Sequence, residues 1–362
     1  MERADVAVIG AGIVGLSAAW RLAEAGQDVV VLEQFDLGHD RGSSHGATRI
    51  FRFAYDDPVY VRLAQEALPL WRELERATGR SLLKITGGID VGDPAYLEAS
   101  STALRACGAR AQHLGHKACR DRFPWLNVGE DGCVFSPDTG VIAANDALQA
   151  AAAAARAAGA RIVDASPVER LEAGDDEVTI VAGGHEIRAR RCVVAAGAWV
   201  AELLEPLGIG LPVRVTREQV FYFRSDDRVL PFIHRGALAR YGVPIFGGAR
   251  GVKIAEHGTG EWTSADDRSF EPDPEGSARV IAYVREVLPS FDPEPIAVET
   301  CLYTTTPDEG FVIDARGPVV IASTCSGHGF KFAPIVGELI SRIVSKREQP
   351  LPLEPFSMAR FA

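Results

Sequence analysis

The chain has 362 residues, of which 47% are hydrophobic and 24% are charged, and its formal net charge at pH 7 is −11. A chain of this length can bury a large core and predicts two lobes rather than one. The acidic balance, without a compensating basic stripe, argues against nucleic acid or an anionic membrane as partner, and no apolar run is long enough to span a bilayer.

The cysteines and histidines give no metal pattern. Six cysteines are present, without a C-x-x-C pair or a spacing typical of zinc sites. Because a core of this size needs no disulfide bonds for stability, we expect free thiols and a reducing, cytoplasmic location. His113 and His116 are three residues apart, but without a nearby Cys or carboxylate pair they are interpreted as surface histidines. We therefore expect no metal.

The N-terminal residues 5–33 predict a strand, a tight turn, a helix and a second strand. The turn is a G-x-G-x-x-G pattern: Gly10 permits the turn, Gly12 lets backbone approach a pyrophosphate, and Gly15 lets helix and strand pack closely. The helix N-terminus would face the anion. Glu33 ends the second strand, where a carboxylate would accept hydrogen bonds from the ribose hydroxyls. This arrangement predicts a dinucleotide site but does not distinguish FAD from NAD.

The next segment favours FAD. Folds that bind NAD continue as alternating strands and helices, whereas residues 35–55 are a polar, glycine-rich loop that carries His45, Arg49 and Arg52. Such a loop suits a wide cofactor ring. The alternative interpretation is a solvated basic loop.

The middle of the chain predicts that a second segment is inserted into the nucleotide-binding lobe. An amphipathic helix at 60–77 is followed by short strands around a helical insert, and an alanine-rich helix then leads to a hairpin and a buried strand that ends near 199. Residues 211–255 have the pattern of an antiparallel sheet. A helix, a strand, a glycine turn and a final helix complete the chain.

Several motifs together resemble one family. With the N-terminal fingerprint they are similar, in matching order, to the monomeric sarcosine oxidase and N-methyltryptophan oxidase family, within the larger D-amino-acid-oxidase-like group. The resemblance extends from residue 5 to about 358, and the motifs that carry it are "GSSHGATRIFR", "YGVPIFGGARGVK", "CLYTTTPDE" and "SGHGFKF". Enzymes of this family oxidise the C–N bond of a secondary amino acid to an imine and pass two electrons through FAD to O₂, which becomes H₂O₂.

The resemblance implies a fold of α/β and α+β type in two domains. One is a Rossmann-like FAD-binding domain of the glutathione-reductase type, and the other is a substrate domain with a large antiparallel or mixed sheet. We expect the FAD-binding domain to comprise residues 1–84, 141–208 and 298–362, and the substrate domain to comprise residues 85–140 and 209–297. It also implies a monomer that acts on a small-molecule amino acid and O₂.

Roles for individual residues follow from the resemblance. Cys301 would be joined to the flavin by a thioether, and a nearby cationic loop would lower the pKa of its thiol; considered alone, it could equally be an inert strand thiol. Arg52 and Lys331 would bind the substrate carboxylate. Lys253 would activate oxygen on the other face of the flavin. Further matches are His45 and Arg49 beside the flavin, Tyr241, His257 and Tyr303 in the substrate cavity, and Ser43, Thr48, Val168, Gly327 and Gly329 in contact with FAD.

Departures from the family pattern leave the identity of the substrate amine undetermined. Phe53 stands where relatives often have a histidine, and the segment "PFIHRGALAR" adds His234, Arg235 and Arg240. N-methyl, carboxymethyl-like and cyclic substituents all stay possible. No residue is an obvious general base, so we expect the substrate to react as the free amine. The alternatives are a dehydrogenase that uses another electron acceptor, and a flavin-holding protein without turnover.

Overall fold

The structure, a computed structural model, describes residues 2–127, 129–130, 132–225, 227–246 and 251–361. Four residues of the motif "YGVPIFGGARGVK", 247–250, therefore lie outside the described residues. The helices in the described part are α1 (Ile13–Glu24), α2 (Pro58–Thr78), α3 (Pro94–Ala106), α4 (His116–Arg122), α5 (Ala144–Ala157), α6 (Val200–Leu204), α7 (Pro274–Val287) and α8 (Ala333–Val344). Among the described residues, no helix combines the length and the apolar character that crossing a bilayer requires.

The strands form three sheets. They are β1 (Glu2–Ile9), β2 (Val29–Leu32), β3 (Thr48–Phe51), β4 (Leu83–Ile85), β5 (Gly88–Gly92), β6 (Gln112–Leu114), β7 (Cys133–Ser136), β8 (Gly140–Ala143), β9 (Arg161–Val163), β10 (Val168–Ala173), β11 (Val178–Ala182), β12 (His185–Val194), β13 (Arg214–Phe223), β14 (Phe232–Arg235), β15 (Ala239–Pro244), β16 (Val252–Glu256), β17 (Glu261–Trp262), β18 (Pro295–Thr305), β19 (Val312–Arg316) and β20 (Val319–Ser323).

The first sheet has the order β10-β11-β12-β1-β2-β9, with β20 beside β12 and β19 beside β20. Strands β12, β1, β2 and β9 are parallel neighbours, and β20 is parallel to β12. The sequence of β2, VVVL, is buried throughout because helices and strands cover a parallel sheet on both faces. Helix α1 packs against α5 and α8. This is the Rossmann-like arrangement predicted for the nucleotide lobe.

The glycine turn after β1 explains the close packing of this sheet. Gly10 has a φ of +101°, and a Cβ there would lie 2.6 Å from the carbonyl oxygen of Ala195. A Cβ on Gly15 would lie 1.9 Å from the carbonyl oxygen of Gly10. Only glycine fits at either position, so the turn brings α1 directly onto the end of β1.

The second sheet is mixed and has nine strands, in the order β17-β13-β16-β15-β14-β5-β7-β6, with β18 beside β13. Strand β5 runs parallel to β14, and the other pairs are antiparallel. The long pairing of β13 with β18 places Cys301 opposite Glu218. A small third sheet, β3-β8-β4, holds Arg49. Its first strand ends just before Arg52.

The expectation of free thiols is wrong for one pair. Cys119 in α4 and Cys133 in β7 form a disulfide, with their Cα atoms 6.1 Å apart. Both lie in an apolar cluster with Phe123 and Phe135, which packs the helix against the strand. Their sequence spacing carries no signal of this contact. The other cysteines are free, but the argument from thiols to a reducing compartment loses part of its basis.

Candidate active site

One cavity of about 1070 Å³ is lined by residues of the first and second sheets and by the turns between them. It collects sixteen of the eighteen residues that the sequence predicted for the site: Gly10, Gly12, Glu33, Ser43, His45, Arg49, Arg52, Val168, Tyr241, Lys253, His257, Cys301, Tyr303, Gly327, Gly329 and Lys331. Gly15 and Thr48 lie behind the lining. Gly15 serves the packing of the glycine turn.

At one end of the cavity, Glu33 presents an ionised carboxylate beside the glycine turn. Its Oε2 accepts a hydrogen bond of 2.8 Å from the amide of Ala11, and its Oε1 accepts one of 3.1 Å from the amide of Phe35. Burial acts to raise the pKa of Glu33, but hydrogen bonds from His39, Ala11 and Phe35 outweigh it and leave the pKa below its ordinary value. The carboxylate is therefore ionised at neutral pH and can accept hydrogen bonds from sugar hydroxyls.

The N-terminus of α1 opens onto the same end. Gly12 is the N-cap and provides no side-chain cap, so the amides of the first turn that follow Ile13 are available to a ligand. Ser44 accepts a hydrogen bond of 3.2 Å from the amide of Ile13, a contact that the sequence did not predict. Bare glycine backbone, a helix N-terminus and a buried carboxylate fit the adenine-nucleotide half of FAD.

Arg49 and His45 both line the cavity. The guanidinium of Arg49 donates to the carbonyl oxygens of Thr48 at 2.9 Å, Ser43 at 3.0 Å and His45 at 2.5 Å. Burial, then the charge of Arg49, lower the pKa of His45 to about 4, so its imidazole is neutral at pH 7. Within the described residues its Nε2 is buried and has no hydrogen-bond partner. A buried ring nitrogen of this kind is suited to a polar ligand.

Lys253 lies on β16 and is 2% exposed. Its Nζ donates a hydrogen bond of 2.7 Å to the carbonyl oxygen of Thr48, whose hydroxyl is engaged with Pro244. Burial, together with the charge of Arg49, holds the pKa of Lys253 well below its ordinary value, while Glu299 acts in the opposite direction. Thr48 thus contacts the lysine that lines the cavity instead of facing the cavity itself.

Cys301 lies on β18 and lines the cavity. The expectation of a lowered thiol pKa is wrong, since burial raises the pKa of Cys301 to about 11. The charges of Arg49 and Lys253 do act to lower it, as expected, but the cost of placing a thiolate in this buried position is larger. The thiol is therefore protonated at neutral pH.

At the far end, Arg52 and Lys331 meet at one tyrosine. The guanidinium carbon of Arg52 lies 4.1 Å from the centre of the Tyr55 ring, and Lys331 Nζ donates to the Tyr55 hydroxyl at 2.9 Å. Arg52 also donates to the hydroxyl of Tyr96 at 3.0 Å and lies 3.5 Å from the carboxylate of Asp90. Burial, then the charge of Arg52, hold the pKa of Lys331 well below its ordinary value. A guanidinium and a lysine amine that are distant in the sequence thus share one end of the cavity.

The residues that hold this end were missed by sequence reasoning. Asp90 is 3% exposed, and burial raises its pKa to about 6 although Arg52 and Arg235 oppose the shift. A carboxylate inside the apolar run of β5 was a signal that could have identified it. His328 contacts the Tyr55 hydroxyl through Nδ1 at 3.3 Å, and it lies in the motif "SGHGFKF".

The aromatic wall consists of His257, Tyr241 and Tyr303. The rings of His257 and Tyr303 have their centres 5.5 Å apart. Burial, then the charges of Arg235 and Arg52, lower the pKa of His257 to about 4, so it is neutral at pH 7. Gly327 has a φ of +72°, and a Cβ there would lie 2.3 Å from the ring of Tyr303. The glycine turn before α8 can therefore approach this wall closely.

Comparison with known proteins agrees with this geometry. The profile described as "DAO: FAD dependent oxidoreductase" matches residues 5–343. The chain is 32% identical to a monomeric sarcosine oxidase of Bacillus sp. (strain NS-129), over 99% of this chain and 97% of that protein. It is 34% identical to the peroxisomal sarcosine oxidase of Homo sapiens, over 99% and 96%.

A solved structure gives the same result for the fold. The open form of NikD, described as an unusual amino acid oxidase essential for nikkomycin biosynthesis, superimposes with a TM-score of 0.88 at 26% identity, over 99% of this chain and 98% of that chain. The predicted fold and the predicted resemblance are both confirmed. The chain belongs to the FAD-dependent oxidoreductase family and is a flavin-dependent amine oxidase.

Proposed function

We propose that this enzyme oxidises a secondary amino acid, N-methylated or cyclic, at its C–N bond and passes the electrons to O₂. The observation that carries the proposal is the meeting of Arg52 and Lys331 at Tyr55, in the same cavity as the glycine turn. The guanidinium of Arg52 and the amine of Lys331 at one end provide a site for the carboxylate of an amino acid, whose negative charge would favour the ammonium form of Lys331. The names of the sarcosine oxidase relatives support an N-methyl amino acid as substrate.

The cavity residues would bind the substrate and favour its reactive protonation state. Arg52 and Lys331 would hold the carboxylate, which orients the amine toward the middle of the cavity. The positive charge at this end lowers the pKa of a bound ammonium group and favours the free amine. His257 is neutral at pH 7 and adds no charge that would oppose binding of the carboxylate. FAD, when bound, supplies the acceptor for the two electrons that leave the C–N bond, and water then hydrolyses the imine.

Lys253 and Cys301 would complete the site. Lys253 is a buried lysine on β16, and its ammonium form would stabilise negative charge as O₂ is reduced to H₂O₂. Cys301 would carry the flavin through a thioether. The thiol of Cys301 would give up its S–H for a C–S bond to the flavin methyl carbon, which would lose one C–H, and O₂ would be the final acceptor of the two electrons. The lining position of Cys301 supports this assignment.

The test is an anaerobic panel of amines with the flavin-loaded protein. Sarcosine, N-methyltryptophan, pipecolate, and L- and D-proline are mixed in turn with the protein, and flavin absorbance is followed before and after air is admitted. At least one should bleach the flavin, and air should restore the colour with one H₂O₂ per turnover. Arg52→Met should slow the bleaching at low substrate concentration. If none of a broad set of secondary amino acids bleaches the flavin, the proposed function is wrong.

A further inference from the structure

We propose that Arg235 binds a second anionic group of the substrate, so that the preferred substrate is a secondary amino acid with two carboxylates. This inference rests on the proposed function and specifies its substrate class. It begins from the segment that departs from the family pattern, since Arg235 stands in "PFIHRGALAR" and lines the cavity.

The backbone of Arg235 is held on both sides. It ends β14, where it pairs with Gly92 of the parallel strand β5 and with Ala239 of the antiparallel strand β15. Its carbonyl oxygen accepts a hydrogen bond of 2.7 Å from the amide of Asp93. Gly92 permits this contact, because a Cβ there would lie 2.0 Å from that oxygen. The side chain therefore projects from a rigid position.

The guanidinium of Arg235 is near the substrate end but has no anionic partner. Its central carbon lies 4.6 Å from the centre of the Tyr96 ring, and the hydroxyl of Tyr96 accepts a hydrogen bond from Arg52. In the described part of the chain, no carboxylate lies within ion-pair distance of Arg235, and its buried Nε has no hydrogen-bond partner. Arg240, which also lines the cavity, differs because it is paired with Glu256 at 2.9 Å.

Among the described residues, Arg235 has no ion-pair partner at this end of the cavity. Asp90 lies 3.5 Å from Arg52 and does not line the cavity, and its charge acts on Arg235 only from beyond ion-pair distance. A substrate carboxylate on Arg52 and Lys331 still leaves the charge of Arg235 unpaired. Asp56 and Asp57 also line the cavity, but both are exposed and solvent screens them. A planar guanidinium with free donors binds a carboxylate through two parallel hydrogen bonds, which favours a second carboxylate over a neutral group.

Ligand binding to the flavin-loaded protein tests this inference without turnover. Methoxyacetate and oxydiacetate carry an ether oxygen in place of the amine and differ by one carboxylate. Their dissociation constants are measured from the change in flavin absorbance in wild type, Arg235→Met, Arg235→Lys and Arg240→Met. Wild type should bind the diacid about tenfold more tightly, as expected for one charge-assisted hydrogen-bonded pair. Arg235→Met should lose this preference while its affinity for methoxyacetate stays within about twofold.

The control variants identify the source of the preference. Arg240→Met removes a cation that is already paired with Glu256, a carboxylate that Arg279 also contacts, so the diacid preference should persist. Arg235→Lys keeps the charge but not the planar fork, so the preference should fall only in part. A diacid preference that is absent in wild type, or that survives in Arg235→Met, overturns the inference.

Substrate kinetics distinguish this inference from the proposed function. N-methylaspartate is compared with N-methylasparagine, and iminodiacetate with sarcosine, by the rate of anaerobic flavin reduction. If the diacids are favoured in wild type and lose their advantage in Arg235→Met, the inference is supported in turnover as well. If only the monoacids reduce the flavin, the proposed function stands and the role of Arg235 is wrong. If no amine reduces the flavin, the proposed function fails, and the ether ligands still decide whether Arg235 binds a carboxylate.

Discussion

Lys331 donates a 2.9 Å hydrogen bond to the hydroxyl of Tyr55, whose ring lies 4.1 Å from the guanidinium carbon of Arg52. One tyrosine thus positions both cations that we assign to the substrate carboxylate. The Tyr55 side chain is 6% exposed, and burial, despite the opposing charge of Arg52, raises the pKa of its hydroxyl to about 12. The hydroxyl therefore stays protonated, accepts from Lys331 and contacts Nδ1 of His328.

Replacement of Tyr55 by phenylalanine should weaken substrate binding more than it slows the chemical step. The variant keeps the ring beneath Arg52 but removes the acceptor that orients Lys331. We expect KM to rise about five- to tenfold, in line with about 1 kcal/mol for one hydrogen bond, and kcat to change little. Steady-state kinetics with the best substrate of the panel measure both values.

Tyr60→Phe is the matched control, because the Tyr60 ring stacks on Tyr55 with centres 5.3 Å apart and lines the same cavity. Its hydroxyl makes no hydrogen bond to Lys331, so KM should stay near the wild-type value. A fall in kcat of Tyr55→Phe with unchanged KM would instead assign the hydroxyl to the chemical step.

Removal of Arg52 should make the stability of the protein depend on the protonation of Asp90. Burial raises the pKa of Asp90 to about 6 in the wild type, and Arg52 opposes that shift. In Arg52→Met the pKa should rise further, and the folded state then favours the protonated acid. A carboxyl whose pKa is higher in the folded than in the unfolded state destabilises the fold above that pKa, and this cost disappears as the pH falls.

The melting temperature of Arg52→Met, compared with wild type, should therefore recover as the pH is lowered from about 8 to about 5. The double variant Arg52→Met/Asp90→Asn removes the titrating group, so its melting temperature should recover at neutral pH. Its kcat/KM should stay low, since neither change restores the guanidinium. Recovery of kcat/KM in the double variant would show that Arg52 supports the fold and does not bind the substrate.

Local patterns were sufficient to predict the fold around the glycine turn. Gly10, Gly15 and Glu33 lie within one strand-turn-helix-strand unit, where spacing along the chain corresponds directly to position in space. Arg52 and Lys331 lie in distant segments, and only the family resemblance joined them before the structure did.

The features that the sequence could not predict depend on how deeply individual side chains are buried. The burial of Cys301 and Lys253 depends on how β13, β16 and β18 pack. This burial raises the pKa of Cys301 and lowers the pKa of Lys253, and in both cases it disfavours the charged form. The contact between Cys119 and Cys133 likewise depends on the packing of α4 against β7. The place of Asp90 in the apolar run of β5 was a signal in the sequence, but only the fold brings it beside Arg52.

The lowered pKa of Lys253 predicts the pH dependence of flavin reoxidation. Burial, with the charge of Arg49, moves the pKa of Lys253 well below its ordinary value. As pH rises through this lowered pKa the ammonium is lost, earlier than for an ordinary lysine, and with it the charge that assists oxygen reduction. The protein, reduced with dithionite and mixed with O₂, should reoxidise more slowly as the pH increases.

Lys253→Met should reoxidise about a hundredfold more slowly than wild type at neutral pH and should lose this pH dependence. The matched control is Lys84→Met, which removes an exposed lysine of β4 and should keep the wild-type profile. Wild-type reoxidation that is slow in air at every pH would favour a dehydrogenase with another electron acceptor.

The raised pKa of Cys301 predicts that covalent attachment of FAD is faster at higher pH. The thiol has a pKa of about 11, and below that value the reactive thiolate increases about tenfold with each pH unit. Apoprotein is incubated with saturating FAD at several pH values, and flavin that stays in the acid-precipitated pellet is measured over time. Attachment should accelerate with pH and should be slower in Arg49→Met, because the guanidinium lowers the pKa of this thiol.

A neighbouring cysteine supplies the control for the site of attachment. Cys325 is also a free thiol that lines the cavity, and its Sγ lies 3.5 Å from the amide of Thr304. Cys301→Ser should leave no flavin in the pellet at any pH, whereas Cys325→Ser should retain it. If the colour washes out of fully loaded wild-type protein, the flavin is not covalently bound. If Cys325→Ser alone abolishes attachment, the tether belongs to the turn before α8 and not to β18.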